Sequence, residues 1–160
     1  MNINKLNHHM LYNKIIDVNK DENGKINWNN ILDYPNLPTE FIDCYFHQLK
    51  PFGIERRIKI NDVLIKKYGS LLNWYQLLTY QDISEELLNH YSNKFISINL
   101  WIYVLKYQKI SYNFLIKHKN IFKEKQRRDI FLTALLHNMH VDKNTKNNFL
   151  QYLISLGWNE

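Results

Sequence analysis

The chain has 160 residues, about the size of one domain, and its 45% hydrophobic and 14% aromatic content is ample for a core. A single cysteine, Cys44, excludes an intrachain disulfide and with it a disulfide-stapled secreted scaffold. No apolar run approaches the roughly 18 residues that cross a bilayer, and the amino end lacks the continuous apolar stretch of a signal peptide. A soluble, cytoplasmic protein is expected.

Residues 1–27 read as an N-terminal extension. Two conformations fit Met10 to Val18 and the Asn-rich stretch after it: a short amphipathic helix and loop, or a β-hairpin turning at Asn23-Gly24. Asp17, Asn19 and Asp21 alternate like the ligands of a calcium loop. Glu22, however, stands at position six, where that loop needs glycine, and Trp28 stands at position twelve, where it needs glutamate. A plain Asn/Asp-rich turn is the expected outcome.

From Trp28 onward the chain repeats itself, and residues 28–160 are expected to form one helical-repeat domain. Trp28 leads to Leu37, Trp74 to Ile83, Trp101 to Ile110 and, more weakly, Leu132 to Val141, always nine residues on. Each Trp is followed by an apolar pair and a Tyr, as in Trp74/Leu77/Leu78/Tyr80 and Trp101/Val104/Leu105/Tyr107. The second half recurs as an ungapped block beginning at Leu37, Ile60, Ile83 and Ile110, with a degenerate copy at Val141. In the four ungapped blocks, positions 1, 5, 6 and 9 are apolar or aromatic apart from His118, a spacing that places them on one helical face. His118 takes a position filled elsewhere by Tyr45, Tyr68 and Tyr91, and so reads as a packing residue.

Each block also carries the chemistry of a helix start. Asn61, Ser84, Ser111 and Asp142 can accept a bond from an otherwise orphaned N–H, Pro38 suits a first turn, and Asp62, Glu85 and Glu86 meet the positive end of the dipole. Helices are predicted over about 38–48, 61–69, 72–81, 84–93, 98–107, 111–120, 124–138 and 143–156. Pro51 and Gly53 break the pattern over 46–58, where a loop or distorted helix is expected. The fold class is therefore all-α: helix-turn-helix units stacked in a solenoid-like array, with an irregular or β-hairpin N-terminal segment. Cys44 is expected to pack inside a helix beside Tyr45.

Charge supplies the main functional candidate. The net charge is +6, yet residues 106–128 alone hold Lys106, Lys109, Lys117, Lys119, Lys123, Lys125, Arg127 and Arg128 against Glu124. A smaller cluster comprises Arg56, Arg57 and Lys59. Basicity concentrated in this way suits an anion-binding or partner-binding surface, with Tyr107 or Tyr112 available to stack on a base. Other chemistry is thinly represented. His137, His140 and Asp142 lack the further ligand of a metal site, His8-His9 likewise, and the chain has no nucleophile elbow, phosphate loop or dinucleotide fingerprint. No cofactor is implied, and no enzyme is expected.

The stretches from Trp74 to Glu86 and from Trp101 to Ser111 resemble short helical repeats, with a Trp and a Gln-x-Ile/Leu-Ser-Glu core, of AT-rich bacteriophages and large DNA viruses. The likeness spans about residues 28–118 and rests on Gln81 and Gln108. It departs at Pro35, near Pro51, and in the last unit, where Met139 stands in place of Gln. It implies a helical array and a viral setting, and supplies no catalytic residues. The resulting expectation is a phage or viral binding protein acting in the host cytoplasm on a host protein or ribonucleoprotein, with RNA as a second candidate ligand. Inhibition of a nucleic-acid-guided defence complex (anti-CRISPR-like) fits that description. The alternative is a virion or structural component.

Overall fold

The structure is a computed structural model that describes residues 3–34, 36–97 and 100–158; side chains are described for 10–34, 36–95, 100–124 and 127–158. The described residues are mostly helical and contain no strand. By compactness the chain falls into two units, residues 1–72 and 73–160. Among the described residues no helix is long and apolar enough to cross a membrane.

The first unit begins with α1 (Ile3–Asp17). Its Tyr12 ring meets Phe41 edge-on at 5.2 Å, and Ile15 and Ile16 are buried. A tight loop follows. Asp21 Oδ1 accepts the N–H groups of Asn23 (2.9 Å) and Lys25 (2.8 Å), and Gly24 takes φ 76°, a left-handed conformation that suits glycine. The hairpin reading survives only as one antiparallel bridge between Lys20 and Ile26. The oxygens expected of a calcium loop are turned to local use: Asp21 holds this turn, and Asp17 pairs with Lys20 at 2.7 Å.

Next come α2 (Trp28–Ile31), α3 (Thr39–Cys44), α4 (Phe46–Leu49), α5 (Ile54–Arg57) and α6 (Asp62–Tyr68). The broken segment is a chain of short pieces. After α4 a 3-10 turn spans Lys50–Phe52 with Pro51 inside it, and Gly53 (φ 72°, ψ 55°) reverses the backbone before α5. Phe41, Ile42, Phe46, Leu49, Ile54, Leu64 and Ile65 are almost wholly buried, each side chain contributing about 1.5–3 kcal/mol of hydrophobic free energy. Phe46 stacks flat on Tyr68 at 3.7 Å. Cys44, expected to pack inside a helix beside Tyr45, is the last residue of α3 and is exposed.

The second unit comprises α7 (Trp74–Tyr80), α8 (Glu85–His90), α9 (Ser92–Ser97), α10 (Trp101–Tyr107), α11 (Tyr112–Lys117), α12 (Lys125–Leu136) and α13 (Lys143–Ser155). The starts of α6, α8, α11 and α13 lie within a residue of their predicted places because the caps are real, whereas α9 falls largely between the predicted helices 84–93 and 98–107. The side chains of Asn61, Ser84, Ser111 and Asp142 each accept the backbone N–H three residues on. Asn27 and Asn73 do the same for α2 and α7, a role the Trp pattern alone did not reveal. Helix α10 packs against both α7 and α12, and α11 against α13. The core consists of Trp74, Leu77 and Leu78, then Trp101, Val104 and Leu105, then Phe122, Leu135 and Phe149.

Candidate partner-binding surface

Before any polar group is assigned to a partner, those that hold the fold must be set aside. Gln108, at the end of α10, is 2% exposed. Its Nε2 donates to the carbonyls of Leu78 (2.7 Å) and Gln81 (2.8 Å), and its Oε1 accepts the N–H of Ile83 (2.9 Å). One amide thus fastens the whole turn between α7 and α8. Asn138, at the end of α12, repeats the arrangement one step on. It is fully buried, donates to Leu105 and Gln108 (2.8 Å each), and accepts from the N–H of His140 (2.7 Å). The last unit therefore keeps its amide one residue earlier than Met139, the position the sequence alignment assigned to it, and Met139 itself is 95% exposed. The turn after α12 is fastened by Lys146, whose Nζ donates to Leu136 and Asn138.

A second set of contacts joins the block helices. Glu85, at block position 3, accepts from the backbone N–H and the hydroxyl of Ser111, position 2 of the following block. Asn89, at position 7, meets His118 Nε2, position 9 of the following block, at 2.8 Å. In the first unit the same positions meet: Asn61 donates to Thr39 (3.0 Å), and Tyr68 donates to Asp43 (2.8 Å). Lys67 also bridges to Asp43 at 2.7 Å. Hydrogen bonds from Lys67 and then Tyr68 hold the Asp43 carboxyl below its usual range. Burial, aided by the neighbouring Lys117 charge, holds the His118 imidazole below its usual value. His118 packs against Trp101 (4.9 Å) and Phe114 (4.6 Å), the aromatic contact its place in the block implied.

The predicted basic residues are not alike. Arg57 is bound to Asp33 and to Asn29 (2.6 Å), so it stabilises the first unit. Arg128 is half-buried: it donates to the carbonyls of Phe122 (3.1 Å) and Trp158 (2.8 Å) and lies 5.6 Å from the Trp158 ring. Lys119 donates to the Tyr152 hydroxyl and covers that ring at 5.2 Å. Arg127 pairs with Glu124 at 3.1 Å. Exposed in the second unit are Lys106, Lys109, Lys117 and Lys123, and in the first Arg56 and Lys59. The Lys125 side chain lies outside those described. Lys106 sits over the Tyr107 ring at 5.1 Å and borders the groove between α10 and α12, while Lys109 borders a separate groove with Asp82, Glu85 and His140. The basic stretch is thus divided between structural cations and exposed ones in more than one place.

His137 Nδ1 donates to the Thr133 carbonyl at 2.8 Å, and Asp142 caps α13, with its carboxyl held low by the Thr145 hydroxyl and N–H. Among the described residues no three His, Cys, Asp or Glu side chains come together in a way that would hold a metal ion. The His8 and His9 side chains lie outside those described.

No family model matches this chain, and neither a curated protein nor a solved structure is similar to it.

Proposed function

We propose that this chain is a non-enzymatic helical-repeat binding protein of phage or viral origin. Its stacked helix pairs hold a partly basic surface toward a host protein or ribonucleoprotein in the host cytoplasm. A repeat array is supported by the recurrence of two locks: the amide of Gln108 and then Asn138, and the block contacts of Thr39/Asn61 with Glu85/Ser111. Arrays of this kind bury apolar stripes against neighbouring copies and leave long outer faces for partners. The viral setting rests on the resemblance of the Trp and Gln-x-Ile-Ser-Glu segments, and inhibition of a nucleic-acid-guided defence complex is the activity that best fits that setting.

The observation that carries the binding role is the exposure of Lys106, Lys109, Lys117 and Lys123, while Lys119 and Arg128 are spent on the fold. A combined change of the four exposed lysines to Gln is expected to leave the thermal transition in place and to abolish capture of the host partner in a pull-down run with and without nuclease. Partner capture undiminished by the four changes would overturn the basic-surface reading. Loss of capture on nuclease treatment alone would make RNA, rather than protein, the direct ligand.

A further inference from the structure

Trp101 opens α10 with a donor that the fold leaves unused. The residue is 2% exposed, and no acceptor among the described residues reaches its indole Nε1. A buried indole N–H ordinarily finds a partner, because it can only donate and burial takes bulk water away from it. The ring is otherwise closely packed: Phe95 meets it edge-on at 5.8 Å, Phe114 lies at 6.0 Å and His118 at 4.9 Å. The same ring lines a cavity of about 160 Å³ within the second unit. Buried Phe95, Trp101 and Phe131 form its inner wall, and half-buried Ile121, from the 3-10 turn Lys119–Phe122, adds an aliphatic side. Exposed Asn120, Glu124 and Arg127 form its rim.

We infer that this cavity is a small-molecule site for an uncharged, single-ring aromatic compound whose acceptor oxygen takes the Trp101 N–H. Four features select that chemistry. The size does so first, since about 160 Å³ is close to the space that one benzene ring fills inside a protein. The walls come next: three aromatic side chains offer a ligand ring edge-to-face and offset contacts that an aliphatic chain does not match. The orphaned indole then requires an acceptor on that ring, because a donor group on the ligand would leave both donors unserved. Finally, Arg127 Nε and Glu124 Oε2 pair with each other at 3.1 Å, so the rim holds no unbalanced charge to repay the dehydration of an ion. None of the four exposed lysines lines the cavity, and the site goes beyond the surface binding proposed above.

The test is a titration of the full chain, labelled with nitrogen-15, followed at the indole N–H resonance of Trp101 after assignment by triple-resonance correlation. Three probes are compared: acetophenone, its isostere α-methylstyrene, in which CH2 replaces the carbonyl oxygen, and benzoate. Acetophenone is expected to move the Trp101 resonance downfield and to saturate, while the Trp28 indole stays in place. The isostere should bind about tenfold more weakly, the worth of one hydrogen bond, and benzoate more weakly than acetophenone. Ile121→Trp, which fills the half-buried side of the cavity, should abolish the response in a chain whose circular-dichroism melting shows it folded; the three-probe comparison on the parent chain needs no variant. A Trp101 resonance unmoved by acetophenone would mean that water alone serves the indole, and would overturn the inference. Equal affinity for acetophenone and its isostere, tighter binding of benzoate, or an undiminished response in folded Ile121→Trp would overturn it as well.

Discussion

Replacing Gln108 by Met keeps the length and bulk of the side chain and deletes its amide. Three hydrogen bonds of 2.7–2.9 Å disappear, to the Leu78 and Gln81 carbonyls and from the Ile83 N–H. Each is worth about 1 kcal/mol net, and a buried donor left without a partner costs a further ~1–3 kcal/mol. The carbonyls have second lone pairs and lose less; the Ile83 N–H loses its acceptor outright. The expected cost is roughly 3–5 kcal/mol, a large part of the ~5–15 kcal/mol that stabilises a typical domain, and a fall in Tm of roughly 10 °C. Urea unfolding followed by far-UV circular dichroism and by the fluorescence of Trp74 and Trp101 measures it. Gln76→Met on α7 is the control, expected within about 0.5 kcal/mol of the parent. A Gln108→Met cost below about 1 kcal/mol would refute the claim that this amide holds the turn.

Three further outcomes are expected. Ser84→Ala removes one cap and should cost about 1 kcal/mol, whereas Ser111→Ala also removes the hydroxyl bond to Glu85 and should cost more, as denaturant midpoints at equal m-value will show. The folded His118 titrates below its unfolded value of about 6.5, so the unfolded chain binds the proton first; the stability that neutral His118 contributes is full above that value and is lost as pH falls toward the folded one. His118→Tyr, the residue found at this block position elsewhere, should flatten the dependence of stability on pH as the pH falls below about 6.5. Arg128→Gln should destabilise by about 1–3 kcal/mol, because it strips charged donors from the Phe122 and Trp158 carbonyls, while Lys123→Gln should leave Tm unchanged; a scanning calorimeter separates the two.

The sequence made helix starts legible because capping is local: Ser84 and Ser111 need only their own next turn to act. Apolar spacing likewise located Leu77, Leu78, Val104 and Leu105 in the core. Contacts between copies were less visible. Gln108 stood out by recurrence with Gln81, but Asn138 did not, because the last turn is longer and the shorter amide reaches the same carbonyls from one residue earlier. The basic stretch was read as one feature because spacing along a chain does not say which cation meets a carbonyl. Arg128 and Lys119 face the end of α13, more than thirty residues away in sequence for Lys119 with Tyr152. Cys44 was expected to pack beside Tyr45, but it is the last residue of its helix and is exposed.

The side-chain amides have a direction. Gln108 completes a turn that precedes it, Asn138 does the same for the turn before it, and Lys146 closes the final one from within its own helix pair. A chain emerging from the ribosome amino end first therefore exposes each of these turns with its carbonyls and N–H still facing water, until the following segment is synthesised. In the second unit, the turns that Gln108 and Asn138 fasten are thus completed only once the segment that follows them is in place.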